Sequence, residues 1–305
     1  MRLHAAAPAK VNLFLHVGPP DAGGLHPLAG LSAFADVGDR LTLDDEAPER
    51  LRVVGPMAEG VPTGPENLVL RALEAFARHT GRDVSRIGLT LTKRLPPASG
   101  LGGGSSDAGA ALRLARAARA PDLSDADLLR IAATLGADGA MCLFPRVAWT
   151  EGHGEILTPE PRLPALAAVL VNPGVPTPTG AVFQAYDRGP LRTADRPAWP
   201  ADWSVAGVLE WLAGARNDLE PAATALVPQI GQARAALEAT AGVRLVRMSG
   251  SGATVFGLYE EPETARTAAE TIARTRPQWW TVATLLHGQD EGVADGPGPG
   301  PVAVG

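Results

Sequence analysis

Residues 96–106 read PPASGLGGGSS, and an amphipathic segment follows at once. Gly100, Gly102, Gly103 and Gly104 stand within five residues, ahead of Ser105 and Ser106. Glycines permit positive φ and let a ligand come close to the backbone. Over residues 107–119, Ala108, Ala111, Leu112 and Ala115 fall on one helical stripe. A glycine run that opens straight into a helix presents free N–H groups and the positive end of the dipole, a place for an anion. The two serine hydroxyls can cap the helix, bond phosphate oxygens or meet a magnesium ion. A flexible loop with an ordinary serine cap is the competing reading. The density of glycines just ahead of the helix argues against it.

Around this loop the chain has material for a large core. It is 305 residues long, 45% hydrophobic and 20% charged, which fits one large domain or two ordinary ones and excludes a mainly disordered chain. The net charge is -6 and no basic block occurs, so no nucleic-acid partner is expected. The longest apolar run, residues 165–171, is too short to span a bilayer, and the first residues, MRLH, lack an apolar signal region. A cytoplasmic protein without membrane contact is the expectation. The single cysteine, Cys142, excludes an internal disulfide and any multi-cysteine metal site. Only two of the 27 basic residues are lysines, Lys10 and Lys93. Where either cation would serve, this chain uses arginine. A retained lysine therefore marks a place that needs a compact ammonium. That argument is stronger for Lys10. Lys93 lies in TKRLPP just ahead of the loop, where any cation near an anion would serve.

The rest of the pattern mixes strands and helices. Residues 10–17, 51–54, 88–92 and 167–171 read as strands. Residues 67–79, 107–119 and 124–135 read as helices, the last opening with Ser-x-x-Asp. Further helices fall around 179–186, 205–212 and 228–240. Strands at 243–248 and 253–259, a helix at 262–274 and a strand at 280–286 close the pattern. Residues 186–203 read as a long proline-containing loop, and 292–305 as a disordered Gly/Pro-rich tail. Without regular βαβ alternation the class is α+β. The closing strand–strand–helix–strand suits a small split-βαβ second domain. A Walker A loop, G-x-G-x-x-G, H-E-x-x-H and G-x-S-x-G are all absent.

Three segments, in order, resemble motifs of the galactokinase, homoserine kinase, mevalonate kinase and phosphomevalonate kinase (GHMP) superfamily. They are PAKVNL at 8–13, the glycine loop, and MSGSGATV at 248–255. Within the superfamily, PAKVNLFLHV at 8–17, GGLH at 23–26, LGAD at 135–138, EGHGE at 151–155, NPGVPTPT at 172–179 and ARND at 215–218 resemble one branch. Its substrate is a cytidine-diphosphate-linked methylerythritol.

The resemblance implies two domains. Residues 1–160 would form a ribosomal-protein-S5 domain-2-like fold and 161–287 a ferredoxin-like fold, with 288–305 as the tail. ATP, with Mg2+, would lie over Pro96, Pro97, Ala98, Ser99, Gly100, Leu101, Gly102, Gly103, Gly104, Ser105 and Ser106. Its γ-phosphoryl would pass to the tertiary 2-hydroxyl of the methylerythritol moiety, in isoprenoid precursor synthesis. Asp138, at the family's catalytic position, would take the alcohol proton. Lys10 would stabilise that carboxylate and the developing negative charge. Asn12 shares a strand face with Lys10 and would point into the same site. His26 would hydrogen-bond the cytosine, Phe183 would stack on it, and Thr179 would lie on the substrate side. Asp218 falls in a matching segment with no assigned contact. Neither metal ligands nor an oligomeric state follow from the resemblance.

This chain departs from the family pattern in two places. Leu25 stands where the family often has an aromatic, leaving Tyr186 as a candidate replacement. Gly139-Ala140-Met141 replaces a Pro-Phe-like sequence after Asp138. Two other functions compete. One is a different superfamily kinase, for homoserine or mevalonate, which His26 and ARND argue against. The other is a catalytically dead nucleotide-binding relative, against which Lys10, Asn12 and Asp138 stand together with all three motifs.

Overall fold

The structure, a computed structural model, describes residues 1–288 and the backbone of 293–295. In chain order its elements are β1 (Arg2–Val17), β2 (Leu28–Asp44), β3 (Leu51–Val54), α1 (Leu68–Thr80), β4 (Gly88–Thr92), α2 (Gly103–Arg119), α3 (Asp125–Ala133) and α4 (Gly139–Leu143). Then follow β5 (Ala148–Glu151), β6 (Ile156–Pro159), β7 (Leu166–Asn172), α5 (Thr179–Tyr186), α6 (Val205–Ala213), α7 (Glu220–Leu226) and α8 (Pro228–Glu238). β8 (Val243–Met248), β9 (Val255–Tyr259), α9 (Pro262–Thr275), β10 (Trp280–His287) and β11 (Val293–Asp295) complete the order.

One mixed sheet runs through the molecule in the order β11-β1-β2-β10-β7-β9-β8. β1 and β2 form a long antiparallel pair, from Arg2 opposite Asp44 to Val17 opposite Leu28. β4 adds to the far end of β2, β5 to its near end, and β10 joins β2 at Ala35 and Phe34. β3 runs parallel to β4. β10 also pairs with β7 along its whole length.

Helix faces set which side of the sheet is dry. α1, α2 and α3 press Val69, Leu73, Phe76, Leu112 and Leu128 against Leu41 and Leu43 of β2 and Leu89 and Leu91 of β4. Fully burying one such side chain contributes about 1.5–3 kcal/mol. A second cluster joins Phe14, Trp149, Leu170 and Phe256 to α6, and a third places α5, α7, α8 and α9 over Val169, Val171, Val255 and Tyr259. The Ser124 cap is the one the sequence spelled out, accepting from the Asp127 N–H, while Asn67, which the pattern makes the first residue of its helix, caps it by accepting from the Val69 N–H.

The structure differs from the sequence pattern in several places. β1 starts eight residues earlier than its alternating half, because alanines at positions 5–7 and 9 conceal a strand. β2, buried on both faces over residues 29–35, shows no alternation at all. α2 begins at Gly103, so the last glycines and both serines form its first turn. Of residues 292–305, expected to be disordered, 293–295 pair with 3–5 of β1; the remainder lies outside the described residues. The 186–203 segment has no helix or strand beyond the end of α5. It is nevertheless pinned, with the Arg196 guanidinium 4.0 Å from the Trp149 ring centre and Arg162 seated over Trp199 and Trp203. Among the described residues no helix is long and apolar enough to cross a membrane.

Candidate active site

The N-terminal motif forms the middle of β1, and the glycine loop lies across it. The Lys10 N–H donates to the Leu101 carbonyl at 2.8 Å. Gly102 caps α2 in the left-handed conformation (φ 61). A Cβ there would sit 3.2 Å from Lys10 Cβ and 3.5 Å from Cys142 Sγ. The Lys10 stem thus runs under the loop and emerges beside α4. There Nζ meets Asp138 Oδ1 at 2.5 Å. The lysine side chain is 7% exposed and the carboxylate 41%. Asp138 stands at the N-cap of α4 and bonds none of its N–H groups by its side chain, so the carboxylate faces outward past the ammonium. Burial, and then the Asp138 charge, push the neighbouring Cys142 thiol up to about 12. It is a packing group and no nucleophile.

The third motif is sewn to the other two. Ser249 Oγ donates to the Gly100 carbonyl at 2.9 Å and accepts from the Asn12 N–H at 3.1 Å. The Thr254 N–H donates to the Ser99 carbonyl. Asn12 is buried, its amide donating to Ser32 Oγ at 3.0 Å. Gly250 packs so closely that a Cβ would lie 3.2 Å from the Gly100 oxygen and 3.4 Å from Asn12 Oδ1. Asn217, of the ARND segment, holds this turn by donating to the Met248 and Gly250 carbonyls, both at 2.8 Å. All three motifs therefore meet at one spot, with the Lys10–Asp138 pair at its edge.

The loop residues divide by environment. Pro97 and Ala98 are exposed; Pro96, Ser99 and Leu101 are buried. Ser105 is half-buried in the first turn of α2. Ser106 faces inward, its hydroxyl donating to the Pro8 carbonyl at 2.7 Å and its N–H bonded to Gly102. Both polar groups of Ser106 are thus engaged inside the protein.

His26 and Phe183 come together, with ring centres 5.0 Å apart. His26 Nδ1 lies 2.9 Å from the Gly18 carbonyl and Nε2 3.3 Å from Asp187 Oδ1, so both ring nitrogens already face oxygen. Tyr186 does not offer the second stacking face suggested for it. It is buried, and its hydroxyl donates to the Val17 carbonyl. Leu25 is 57% exposed. Thr179 opens α5 and meets Ser251 Oγ at 2.9 Å. Asp218 accepts from the Val17 N–H and from Arg216, which makes it a structural tie.

Lys93 is not a surface cation. It is 4% exposed and inserted between Asp39 and Asp107, at 2.9 Å from Asp107 Oδ2. Burial works against its charge, but Asp107 and Asp39 outweigh that and hold its pKa above the ordinary lysine value. Neither aspartate carries a local sequence signal. Asp39 lies in a strand that the sequence pattern does not show, and Asp107 stands where that pattern starts the helix.

A β1 lysine paired with a carboxylate beside a glycine loop that opens a helix defines the class: a GHMP kinase. Residues 67–146 match the GHMP kinases N-terminal domain and 207–278 the GHMP kinases C-terminal domain. The chain is 53% identical over 283 residues to the 4-diphosphocytidyl-2-C-methyl-D-erythritol kinase of Caulobacter vibrioides, covering 92% of this chain and 98% of that one. It is 48% identical to the enzyme of the same name from Dinoroseobacter shibae, covering 92% and 94%. A crystal structure of a 4-(cytidine 5'-diphospho)-2C-methyl-D-erythritol kinase superposes with a TM-score of 0.74 at 36% identity, covering 94% of this chain and all of that one. A homoserine kinase from Cytophaga hutchinsonii shares the fold at 19% identity (TM-score 0.67; 96% of this chain, 97% of that one). The chain belongs to the 4-diphosphocytidyl-2-C-methyl-D-erythritol kinase family.

Proposed function

We propose that this protein transfers the γ-phosphoryl group of ATP to the tertiary 2-hydroxyl of 4-diphosphocytidyl-2-C-methyl-D-erythritol, a step of isoprenoid precursor synthesis. The observation that carries the reading is the Lys10–Asp138 contact at the mouth of the glycine loop, in a chain whose relatives carry that name along nearly their whole length.

A tertiary alcohol is a poor nucleophile, and phosphoryl transfer asks mainly for position and charge neutralisation. The first N–H groups of α2, at residues 103–105, are free of intrahelical partners and would receive the phosphates. The substrate hydroxyl would approach Asp138, whose carboxylate takes its proton as the new O–P bond forms and the bond to ADP breaks. The proton then leaves to solvent on the exposed side of Asp138. Lys10, held by the strand and the loop, neutralises charge on the attacking oxygen and the transferring group. Magnesium would enter on the triphosphate. Among the described residues no group of three or more His, Cys, Asp or Glu side chains forms a cage, which suits an ion that keeps several waters and binds largely through phosphates. The His26–Phe183 corner would receive the cytosine. With Leu25 where the family often has an aromatic, stacking on the cytosine would rest on Phe183 alone.

The test is ADP release measured with the diphosphocytidyl substrate, with homoserine and with mevalonate. Turnover with the first alone is expected. Preference for either of the others, or no turnover with any, would replace this reading.

A further inference from the structure

Glycine at positions 100 and 102–104 leaves that part of the loop without side chains of its own to fix it, and a phosphate cradle must be held in place. Beneath it lies a buried triad that the reaction above does not use. Asp39, in β2, accepts the N–H groups of Arg94 and Leu95 on Oδ1, at 2.5 and 2.9 Å. Those two residues lead into the loop. Asp107, in the second turn of α2, stands where the loop has become helix. Lys93 joins the two, bonding Asp39 Oδ2 and Asp107 Oδ2 with one ammonium. The link passes directly under Gly103, the first residue of α2. A Cβ built there would lie 3.6 Å from Lys93 Nζ and 3.7 Å from Asp39 Oδ2. One oxygen of the triad, Asp107 Oδ1, is buried without a hydrogen-bond partner from the protein.

We propose that Lys93 is a positioning residue for phosphoryl transfer: by bridging Asp39 and Asp107 it locks the two ends of the glycine loop, so that the N–H groups of residues 103–105 are preset for the phosphates of ATP. This rests on ATP being the donor bound at that loop. The bridge explains the second lysine of an arginine-rich chain. A compact ammonium fits between the two aspartate side chains under a helix start, whereas a guanidinium is wider, planar and binds one carboxylate with both arms. It would part the aspartates and lift Gly103.

The experiment compares the full chain with Lys93→Arg and Asp107→Ala. Asp107→Ala leaves a balanced Asp39–Lys93 pair and is expected to fold, which keeps a test available if Lys93→Arg does not. Hydrogen exchange of residues 94–106 is followed without nucleotide, and KM is measured for ATP and for the acceptor. Both variants should exchange the hydrogen-bonded amides at the two ends of the loop, Leu95 (to Asp39) and Ser106 (to Gly102), faster, by about tenfold or more on the scale of local opening. The KM for ATP should rise by about tenfold while that for the acceptor stays within about threefold, the signature of lost binding on one side of the site. Wild-type protection at Leu95 and Ser106 in every variant that folds, or equal rises in both KM values, overturns the proposal. If the wild type does not turn over ATP, the functional reading falls, while the exchange result still decides whether Lys93 holds the loop.

Discussion

Lys10 is the residue at which the choice of cation should matter most for the chemical step. Its stem is enclosed by Gly102 and the strand, and its Nζ meets Asp138. Lys10→Arg keeps the charge but places a longer, planar group against that carboxylate. A misplacement of about 1 Å can cost about 10²-fold in rate, and a drop of that order in kcat, with ATP affinity nearly intact, is expected. Activity within threefold of wild type, on that scale, would reduce Lys10 to a source of charge. Asp138→Asn should lower kcat by about 10²–10⁴-fold without changing ATP binding measured by calorimetry; an unimpaired kcat would remove it as the base. Lys93, expected from its segment to be replaceable by any cation, is instead buried between two aspartates. From sequence alone any cation is expected to serve at position 93, because the partners Asp39 and Asp107 come from separate elements and no local pattern joins them to Lys93. Lys10, Asn12 and Asp138 were legible because each stands in a contiguous motif. The occupied nitrogens of His26 were not, since Gly18 and Asp187 reach it only through folding.

Asp107 gives that triad a pH dependence. Burial first, and then Asp39, raise its pKa to about 8 against the pull of Lys93. From about pH 4 to about 8 the folded chain holds a proton that the unfolded chain has released. Stability therefore falls as pH rises through that window and levels off above it. Lys93, shifted upward, contributes stability that is lost only at much higher pH. Urea midpoints of wild type and Asp107→Asn at pH 5, 6, 7 and 8 should diverge, with the variant gaining relative stability as pH rises. A constant difference would mean that Asp107 does not titrate in this range.

At the scale of elements the glycine loop is held by contacts that its sequence only half reveals. Gly100 has φ 78, and a Cβ there would meet the Ser249 oxygen at 2.4 Å and the Gly252 oxygen at 2.8 Å. Both obstacles are backbone, so neither can swing away. Gly103 differs, with ordinary room for a first carbon over the triad. Gly100→Ala should therefore lower both the melting temperature and ATP affinity. Gly103→Val should weaken ATP binding while the fold survives. Thermal melts and calorimetry separate the two, and an unaffected melting temperature for Gly100→Ala would show that the three-motif junction adapts. The sequence marked this loop because glycine density is local. It marked α1, α3 and β7–β10 because their periodicity or apolar runs are strong. It concealed β2, which is covered on both faces, and the first half of β1, where alanine gives no strand signal. It also placed the start of α2 four residues late, since glycine and serine argue against helix until the dipole and the fixed left-handed Gly102 are considered.

At the scale of the whole molecule, Arg247 fastens the C-terminal part of the sheet to the N-terminal strand that carries the site. It lies in β8, 5% exposed, and donates to the carbonyls of Leu13, Leu212 and Ala215 at 2.7, 2.9 and 2.6 Å. Burial lowers its pKa to about 10, with Glu220 opposing the shift. It still carries its charge at neutral pH, and the three carbonyl dipoles are its compensation. Leu13 follows Asn12 on β1. Ala215 leads into Asn217, which holds the turn at Met248 and Gly250. One guanidinium therefore reaches β1, the end of α6 and, through it, the third motif. Arg247→Met would fill similar space but take the guanidinium donor from three buried carbonyls, of which Leu212 keeps the Ala215 N–H; an acceptor left unpaired costs about 1–3 kcal/mol. The expected loss of stability is on the order of 3–5 kcal/mol, read from urea unfolding. Arg247→Lys can satisfy fewer of the three acceptors and should fall between. ATP affinity should weaken in both variants even where they remain folded, because Ser249 and Gly250 lose part of their support. A Met variant within about 1 kcal/mol of wild type, the range of an ordinary substitution, would mean that the Leu13 and Ala215 carbonyls find other donors and that the two parts of the sheet are held by packing alone.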